Sequence, residues 1–262
     1  VKIIVCVKQV PDTNEVKIDP VKGTLIREGV PSILNPDDKN ALEEALALKD
    51  KNPEVHVTVV TMGPPQADEM LRECLAMGAD EAILLSDRAF AGADTWATSN
   101  TLAAAVRKIG HYDIIFAGRQ AIDGDTAQVG PQLAERLGIP QVTYVQQFEI
   151  QGEDILVQRA LEDGYELIKV KAPVLLTAIK ELNHPRYMSV GGIYDAFREK
   201  EVKVWTLADL DVQKQEVGLD ASPTQVKRSF TPEPKGKGIM LKGSTKEMVE
   251  QLVGSLKQKH VI

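Results

Sequence analysis

Along the first 140 residues, short runs of branched apolar residues alternate with stretches whose apolar positions recur every three or four residues. Lys2–Val7, Val55–Thr61, Glu81–Leu85 and Asp113–Ala117 are dense in Val, Ile and Leu, with little polar alternation. Strands of that kind are buried on both faces, as in a parallel sheet. Between them the helical period takes over. Asn35-Pro36-Asp37-Asp38 supplies an N-cap, a proline at the first helical position and two first-turn acids, ahead of Leu42, Ala45, Leu46 and Leu48. Pro64-Pro65 opens a second helix with Ala67, Met70, Leu71, Cys74 and Leu75 inward, ended by Gly78. A third carries Leu102, Ala105, Val106 and Ile109 and stops at Gly110. The order β-α-β-α-β-α-β predicts an α/β fold, an open parallel sheet with helices on both faces.

After Pro140 the pattern changes. Gln141–Gln151, Ile155–Leu161 and Tyr165–Ala172 read as strands, with Gly152-Glu153-Asp154 and Glu162-Asp163-Gly164 as hairpin turns between them. An antiparallel meander is expected there, followed by a further core strand over Pro173–Ile179. From about Leu207 to Gly243 the chain has little periodicity, many charges and three prolines (Pro223, Pro232 and Pro234). Such a stretch rarely folds alone and more often lies extended over another surface. Ser244-Thr245-Lys246-Glu247 is a capping box opening a last helix, with Met248, Leu252 and Leu256 at i, i+4 and i+8. The expected division is an α/β domain over 1–206 and a C-terminal arm and helix over 207–262.

Composition narrows the function classes. The net charge of −7 argues against nonspecific nucleic-acid binding, which draws its affinity from Lys and Arg on phosphates. Two cysteines, Cys6 and Cys74, are too few for a disulfide framework and point to a reducing compartment. The apolar start, Val1 to Val7, lacks the anatomy of a signal peptide, and no run approaches the roughly 20 apolar residues of a bilayer span. A cytoplasmic protein that uses neither membrane nor nucleic acid is the expectation.

In an open parallel sheet, ligands bind beyond the carboxyl ends of the strands, where the strand order reverses. Those ends are Cys6-Val7-Lys8, Met62-Gly63-Pro64 and the long loop Gly118-Arg119-Gln120-Ala121-Ile122-Asp123-Gly124-Asp125-Thr126-Ala127-Gln128-Val129-Gly130. Pro131 is tolerated only in a first turn, so the following helix starts near Ala127 or Gln128. Free N–H groups around Thr126–Val129 would then form an anion site, with the Thr126 hydroxyl, close approach at Gly124 and the Arg119 cation. Asp123 and Asp125 would repel a phosphate at contact, so they cap the helix or bind ribose hydroxyls. An N-capped loop without any ligand is the plainer alternative. Asp94, Thr95 and Thr98 open another helix and either complete a pyrophosphate cradle or, for Asp94, simply cap it.

Other patterns carry less. Gly238 to Thr245 lacks the lysine of a phosphate-binding loop and follows no strand, and no Gly-x-Gly-x-x-Gly follows the first strand. His56, His111, His184 and His260 show no metal spacing, and Cys6 and Cys74 read as packing residues. No nucleophile–base pair can be named, so no catalytic residue is assigned.

These motifs carry a resemblance. The chain resembles the β subunit of electron-transfer flavoproteins at Val5-Cys6-Val7-Lys8-Gln9-Val10-Pro11-Asp12, at Asn35-Pro36 with Ala41-Leu42-Glu43-Glu44-Ala45, and at Leu75-Ala76-Met77-Gly78-Ala79-Asp80. Gly118-Arg119-Gln120-Ala121-Ile122-Asp123 through Gln128, Leu133-Ala134-Glu135-Arg136-Leu137 and Leu182-Asn183-His184-Pro185-Arg186-Tyr187 are the most specific segments. The resemblance runs nearly the whole chain in order. It implies a flavodoxin-like three-layer core and an arm that wraps an α subunit holding the main flavin of a heterodimer. It implies an adenine nucleotide on Cys6, Asn35, Pro36, Asp37, Asp38, Met62 and Gly118 to Val129. Arg186-Tyr187-Met188-Ser189-Val190-Gly191-Gly192-Ile193 matches the family's loop for docking partner dehydrogenases, with Val190 as the apolar anchor. Gly191-Gly192 departs there from the bulkier mitochondrial pattern.

Two nucleotides are open on this resemblance. AMP is the structural ligand of housekeeping members, and a second FAD serves the bifurcating ones. The Val10-Pro11-Asp12-Thr13, Asn35 to Asp38 and Asp123 to Thr126 loops look more like the bifurcating type, which favours FAD. That type takes hydride from NADH and sends electrons to a dehydrogenase, of the acyl-CoA or another flavin class, and to ferredoxin or flavodoxin. Arg119 is then the expected charge near flavin or phosphate. A regulatory nucleotide-binding module without redox chemistry is the reading of a different class.

Overall fold

The computed structural model describes residues 1–12, 17–18, 25–26, 31–225, 236 and 238–262. Thr13, Pro232 and Pro234, used above, lie outside the described residues. The first half contains β1 (Lys2–Cys6), β2 (Gln9–Pro11), β3 (Lys17–Ile18), β4 (Leu25–Ile26), β5 (Ser32–Leu34), α1 (Pro36–Lys51) and β6 (His56–Met62). It continues with α2 (Ala67–Met77), β7 (Glu81–Leu85), α3 (Thr95–Ile109), β8 (Ile114–Gly118) and α4 (Val129–Leu137). Then come β9 (Gln141–Gln151), β10 (Asp154–Leu161), β11 (Gly164–Lys171), β12 (Val174–Ala178), α5 (Val190–Arg198), β13 (Val202–Trp205) and α6 (Thr245–Gln258).

Nine strands form one sheet in the order β11-β10-β9-β12-β8-β1-β6-β7-β13. β1 lies between β6 and β8 in parallel register, with Ile3 opposite both Val57 and Ile114. Alternate residues of the central strands feed two cores. Ile3, Val5, Phe116 and Leu176 pack with Leu42 and Leu46 of α1 and Leu71 and Leu75 of α2. Ile4, Ile115 and Leu175 pack with Leu102 and Val106 of α3 and Leu133 of α4. This is why those runs lack polar alternation: each fully buried Leu, Ile or Phe contributes about 1.5–3 kcal/mol, on either face. The expected three-layer α/β architecture is the observed one.

The meander is antiparallel as expected, and it extends the same sheet, because β9 also pairs with β12 in parallel. Phe148 of β9 meets Phe116 of β8 edge to face, with ring centroids 5.5 Å apart.

Besides the short strands β2 to β5, two further elements were not expected. β13 adds a parallel edge strand to β7, and α5 occupies residues read as a docking loop. Ser189 caps α5 by accepting from the Gly192 N–H at 2.9 Å. The helix lies hard against α2: a Cβ on Gly192 would sit 2.2 Å from the Ala76 carbonyl oxygen, whereas one on Gly191 would meet nothing within 4 Å. Arg72 of α2 donates to the Ala196 carbonyl at 2.6 Å, and Lys200 donates to the Ala79 carbonyl at 2.7 Å.

The chain forms two compact units, Val1–Ile18 with Leu25–Lys227, and Asp19–Thr24 with Arg228–Ile262. The stretch that begins at Leu207, expected to lie extended over another surface, crosses α3 through three short 3₁₀ turns and buries Leu210 and Val217. Asn100 and Lys108 of α3 donate to the carbonyls of Glu216 and Asp209. Few apolar anchors suffice because the helix supplies these polar ones. In the second unit, α6 starts at the expected capping box: the Ser244 N–H donates to Glu247 at 2.7 Å.

Adjacent glycines in the same first turn should therefore behave oppositely. Gly192→Ala is expected to lift α5 and destabilise the protein in urea denaturation. Gly191→Ala should be neutral or stabilise by about 0.4–1 kcal/mol through the unfolded chain. Equal effects at the two positions would count against the close α2–α5 contact.

Candidate functional site

The chain passes from β1 to β6 and β7 on one side of the sheet, then returns to β8 on the other side of β1. The switch point is the crevice between the carboxyl ends of β1 and β8. One buried carboxylate spans it. Asp38 accepts from the backbone N–H of Lys8 (2.8 Å, Oδ2) and from that of Gly118 (2.9 Å, Oδ1). Position 118 has no room for a side chain, since a Cβ there would lie 2.2 Å from Asp38 Oδ1. Burial pushes the Asp38 carboxyl up to about 7, against the lowering by its bonds from Asn35, Gly118 and Lys8.

Asn35 is fully buried and does not cap α1 with its side chain. Its amide instead brackets the β8 loop, donating to the Gln120 carbonyl at 2.9 Å and accepting from the Ile122 N–H at 3.1 Å. Pro36 does take the first helical turn. The sequence identified this residue pair correctly as a helix start, but not the long-range job of its side chain.

The rest of the loop is tied down by side chains. Lys8 Nζ holds both oxygens of Asp123 at 2.7 and 2.9 Å, Gln120 donates to Asp125 at 2.9 Å, and the Thr95 hydroxyl donates to Gln128 at 2.9 Å. Asp125 and Ala127 have φ of 48° and 52°, a left-handed conformation that costs a non-glycine residue about 1–2 kcal/mol. Gly124 is exposed, with open space around it. α4 begins at Val129, within the limit that Pro131 sets, and Gln128 makes no side-chain cap bond. The first-turn amides therefore keep the unpaired N–H groups that every helix start has. Behind them Gly130 lies against Thr177, where a Cβ would come within 2.7 Å of Cγ2.

The structure gathers Cys6, Asn35, Pro36, Asp37, Asp38 and Gly118 to Val129 around the β1–β8 crevice, with Met62 and Gly63 at the end of neighbouring β6. Within this group, Ala121 accepts from the N–H groups of Gly124 and Asp125, and Thr126 is exposed. Burial and nearby Asp38 push the Cys6 thiol up to about 12, so it stays protonated and serves as a wall. Thr95 reaches the crevice through Gln128, and the Thr98 N–H closes the first turn of α3. Asp94 caps α3 through Ala97 with one oxygen and binds the N–H and hydroxyl of Thr224 with the other. Its carboxylate is thus committed to the fold.

Arg119 fits an anionic group. Its Nε–H is buried with no hydrogen-bond acceptor, and Asp37 Oδ2 lies 3.4 Å away as an ion pair only. Buried N–H groups are almost always paired, so this one, with the Asp37 carboxylate beyond hydrogen-bonding geometry, is left as a donor without an acceptor. With the open first turn of α4, it suits a nucleotide phosphate or a flavin carbonyl. Lys8 was not singled out from sequence; its partner lies 115 residues away, and no local pattern signals such a pair.

A second surface comes from the segment 186–198. Arg186, expected to face a partner, is turned inward, where it binds Glu43 at 2.9 Å and Asp50 at 2.6 Å on α1. It anchors the loop, and its charge holds Asp50 below the usual carboxylate range. Asn183 and Asn40 exchange side-chain and backbone bonds beside it. Tyr187 and Val190 are 95% and 87% exposed, and Met188, Ile193, Tyr194 and Phe197 are exposed too. Val190, Tyr194 and Phe197 have i, i+4, i+7 spacing after a serine cap, a helical signal that Gly191-Gly192 obscured.

Among the described residues no group of three or more His, Cys, Asp or Glu side chains is placed to hold a metal. No helix there is long and apolar enough to cross a membrane.

A doubly wound, mostly parallel sheet with its loops parting at a switch point defines the class of three-layer α/β proteins whose ligands bind beyond the strand ends. The electron transfer flavoprotein domain matches residues 22–210. The chain is 65% identical over 260 residues to the electron transfer flavoprotein subunit beta of Clostridium acetobutylicum, covering 99% of each. It is 63% identical over 262 residues to the caffeyl-CoA reductase-Etf complex subunit CarD of Acetobacterium woodii, covering 100% of each. It is 51% identical over 272 residues to the acryloyl-CoA reductase electron transfer subunit gamma of Anaerotignum propionicum, again covering 100% of each. The chain belongs to the electron transfer flavoprotein family, as a β subunit.

Asp38→Asn should destabilise the protein by about 1–3 kcal/mol, because the amide nitrogen must face one of two backbone N–H donors. The pH dependence has a definite sign. A carboxyl whose folded pKa is raised from 3.8 to about 7 gives the folded state extra protons between those values. Its contribution is full below about 4 and lost as pH rises to about 7. In urea denaturation, the wild-type margin over Asp38→Asn should shrink across that window; a margin that grows with pH would refute the assignment.

Proposed function

We propose that this chain is the β subunit of a bifurcating electron transfer flavoprotein, binding FAD in the β1–β8 crevice. With an α subunit it would oxidise NADH and pass electrons to a flavin dehydrogenase and to a low-potential carrier, ferredoxin or flavodoxin. The observation that carries the reading is the pair of unsatisfied donors, the Arg119 Nε–H and the open first turn of α4, at the switch point. Both are donors without acceptors, which is what a diphosphate or flavin edge requires. Two relatives named for caffeyl-CoA and acryloyl-CoA reductases support an acyl-CoA-type partner.

A bound flavin supplies the hydride and electron chemistry; the chain supplies position and potential. Asn35 and Asp38 fix the two loops, Arg119 offers a cation, and Cys6 lines the floor. AMP is the second reading, because the same phosphate donors serve a monophosphate. A regulatory module without redox chemistry is disfavoured by the family and by the apolar face on α5. That face, with Tyr187 and Val190 foremost, is the docking surface on this reading. The C-terminal arm and helix over 207–262, with the apolar stripe of α6, are the part that wraps the α subunit on this reading.

Flavin and AMP content per heterodimer tests the cofactor directly. Two FAD and no AMP are expected; one FAD with one AMP would reject bifurcation and leave the housekeeping reading. Val190→Asp should slow electron transfer to the partner dehydrogenase at least about tenfold, as loss of an apolar anchor does, without changing Tm. Unchanged transfer would remove this face from the docking site.

A further inference from the structure

The crevice presents an electrostatic problem for the nucleotide it is read to bind. Four carboxyl groups, those of Asp37, Asp38, Asp123 and Asp125, surround it, against the cations Lys8 and Arg119. Arg119 lies against Asp37, and Lys8 is committed to Asp123. A phosphate entering beside the α4 amides therefore meets carboxylates that already share the charges of Lys8 and Arg119, although the Arg119 Nε–H has no hydrogen-bond acceptor.

Lys8 is the group built to move. Its backbone is fixed by Asp38, yet its side chain is 47% exposed and that of Asp123 is 33% exposed. An ion pair this open is weak, so an incoming dianion competes with Asp123 for the ammonium on nearly even terms. The two residues come from the loops that follow β1 and β8, so their bond links those loops across the switch point.

We propose that Lys8 is a phosphate-binding residue held in reserve: it pairs with Asp123 across the β1 and β8 loops and transfers its ammonium to the nucleotide phosphate on binding. This rests on the nucleotide reading above and adds to it a phosphate-binding residue. Asp123 then acts as the competitor that the phosphate displaces, and not as a ribose ligand.

The test uses the heterodimer freed of nucleotide and titrated with AMP, with adenosine and with FAD. Lys8→Met should weaken AMP about tenfold, the value of a charge-assisted hydrogen bond, and leave adenosine unchanged. Lys8→Arg should restore AMP binding and so exclude a folding defect. Asp123→Asn should tighten AMP about two- to fivefold, the equivalent of an exposed ion pair, again without effect on adenosine. If FAD is the nucleotide that binds, the same ratios should hold for FAD, with riboflavin as the phosphate-free control. Lys8→Met binding AMP or FAD like the wild type would overturn the proposal. So would Asp123→Asn weakening AMP and adenosine alike, which would put Asp123 on the ribose. A wild-type complex that takes neither AMP nor FAD would overturn the nucleotide reading itself, and this proposal with it.

Discussion

The architecture turns on the contact between Asp38 and the backbone of Lys8 and Gly118. Adjacent parallel strands part company beyond their last ladder bonds, and at the switch point their loops diverge to opposite faces. Here a single carboxylate from the first turn of α1 holds both loops just where they separate. Its burial is costly, and the chain tolerates that cost because the group has backbone donors on both sides. The absence of a side chain at Gly118 lets the helix come close enough to make them. The two loops are therefore tied to one buried carboxylate at the point where they separate.

Above that floor the loop is held differently. Side chains such as Gln120, Thr95 and Lys8 tie its acidic and amide groups, two residues are left-handed, and much of it is exposed. The base is thus held by buried bonds to one carboxylate, and the rim by exposed side-chain bonds. The nearby thiol of Cys6, kept protonated, adds no charge of its own to this arrangement.

Much of the fold was legible because continuous Val-Ile-Leu runs have few alternatives to two-sided burial. β7 runs over Glu81–Leu85, where the pattern put it, and the meander turns fall at the glycines that marked them. α5 was hidden because two glycines broke the local propensity, although Gly192 serves a tertiary contact. The surface under the stretch after Leu207 was not legible, because its anchors include polar atoms on α3, which no apolar period reveals. At the site, residue types and loop were legible from helix-start chemistry. The work of individual side chains was not. Asn35 looked like a cap and is a bracket, Arg186 looked like a contact and is an anchor, and Asp94 is a cap after all.

The Arg186 anchor has a mechanical side. α1 is sixteen residues long, about 24 Å of stiff rod, with the crevice at its first turn and the Arg186 loop on its later turns at Glu43 and Asp50. Crevice and apolar face thus share one ruler. A partner seated on Tyr187 and Val190 is surveyed against the same helix that sets the floor of the crevice. On the proposed reading, the spacing of the crevice from the docking face then depends on one helix's length.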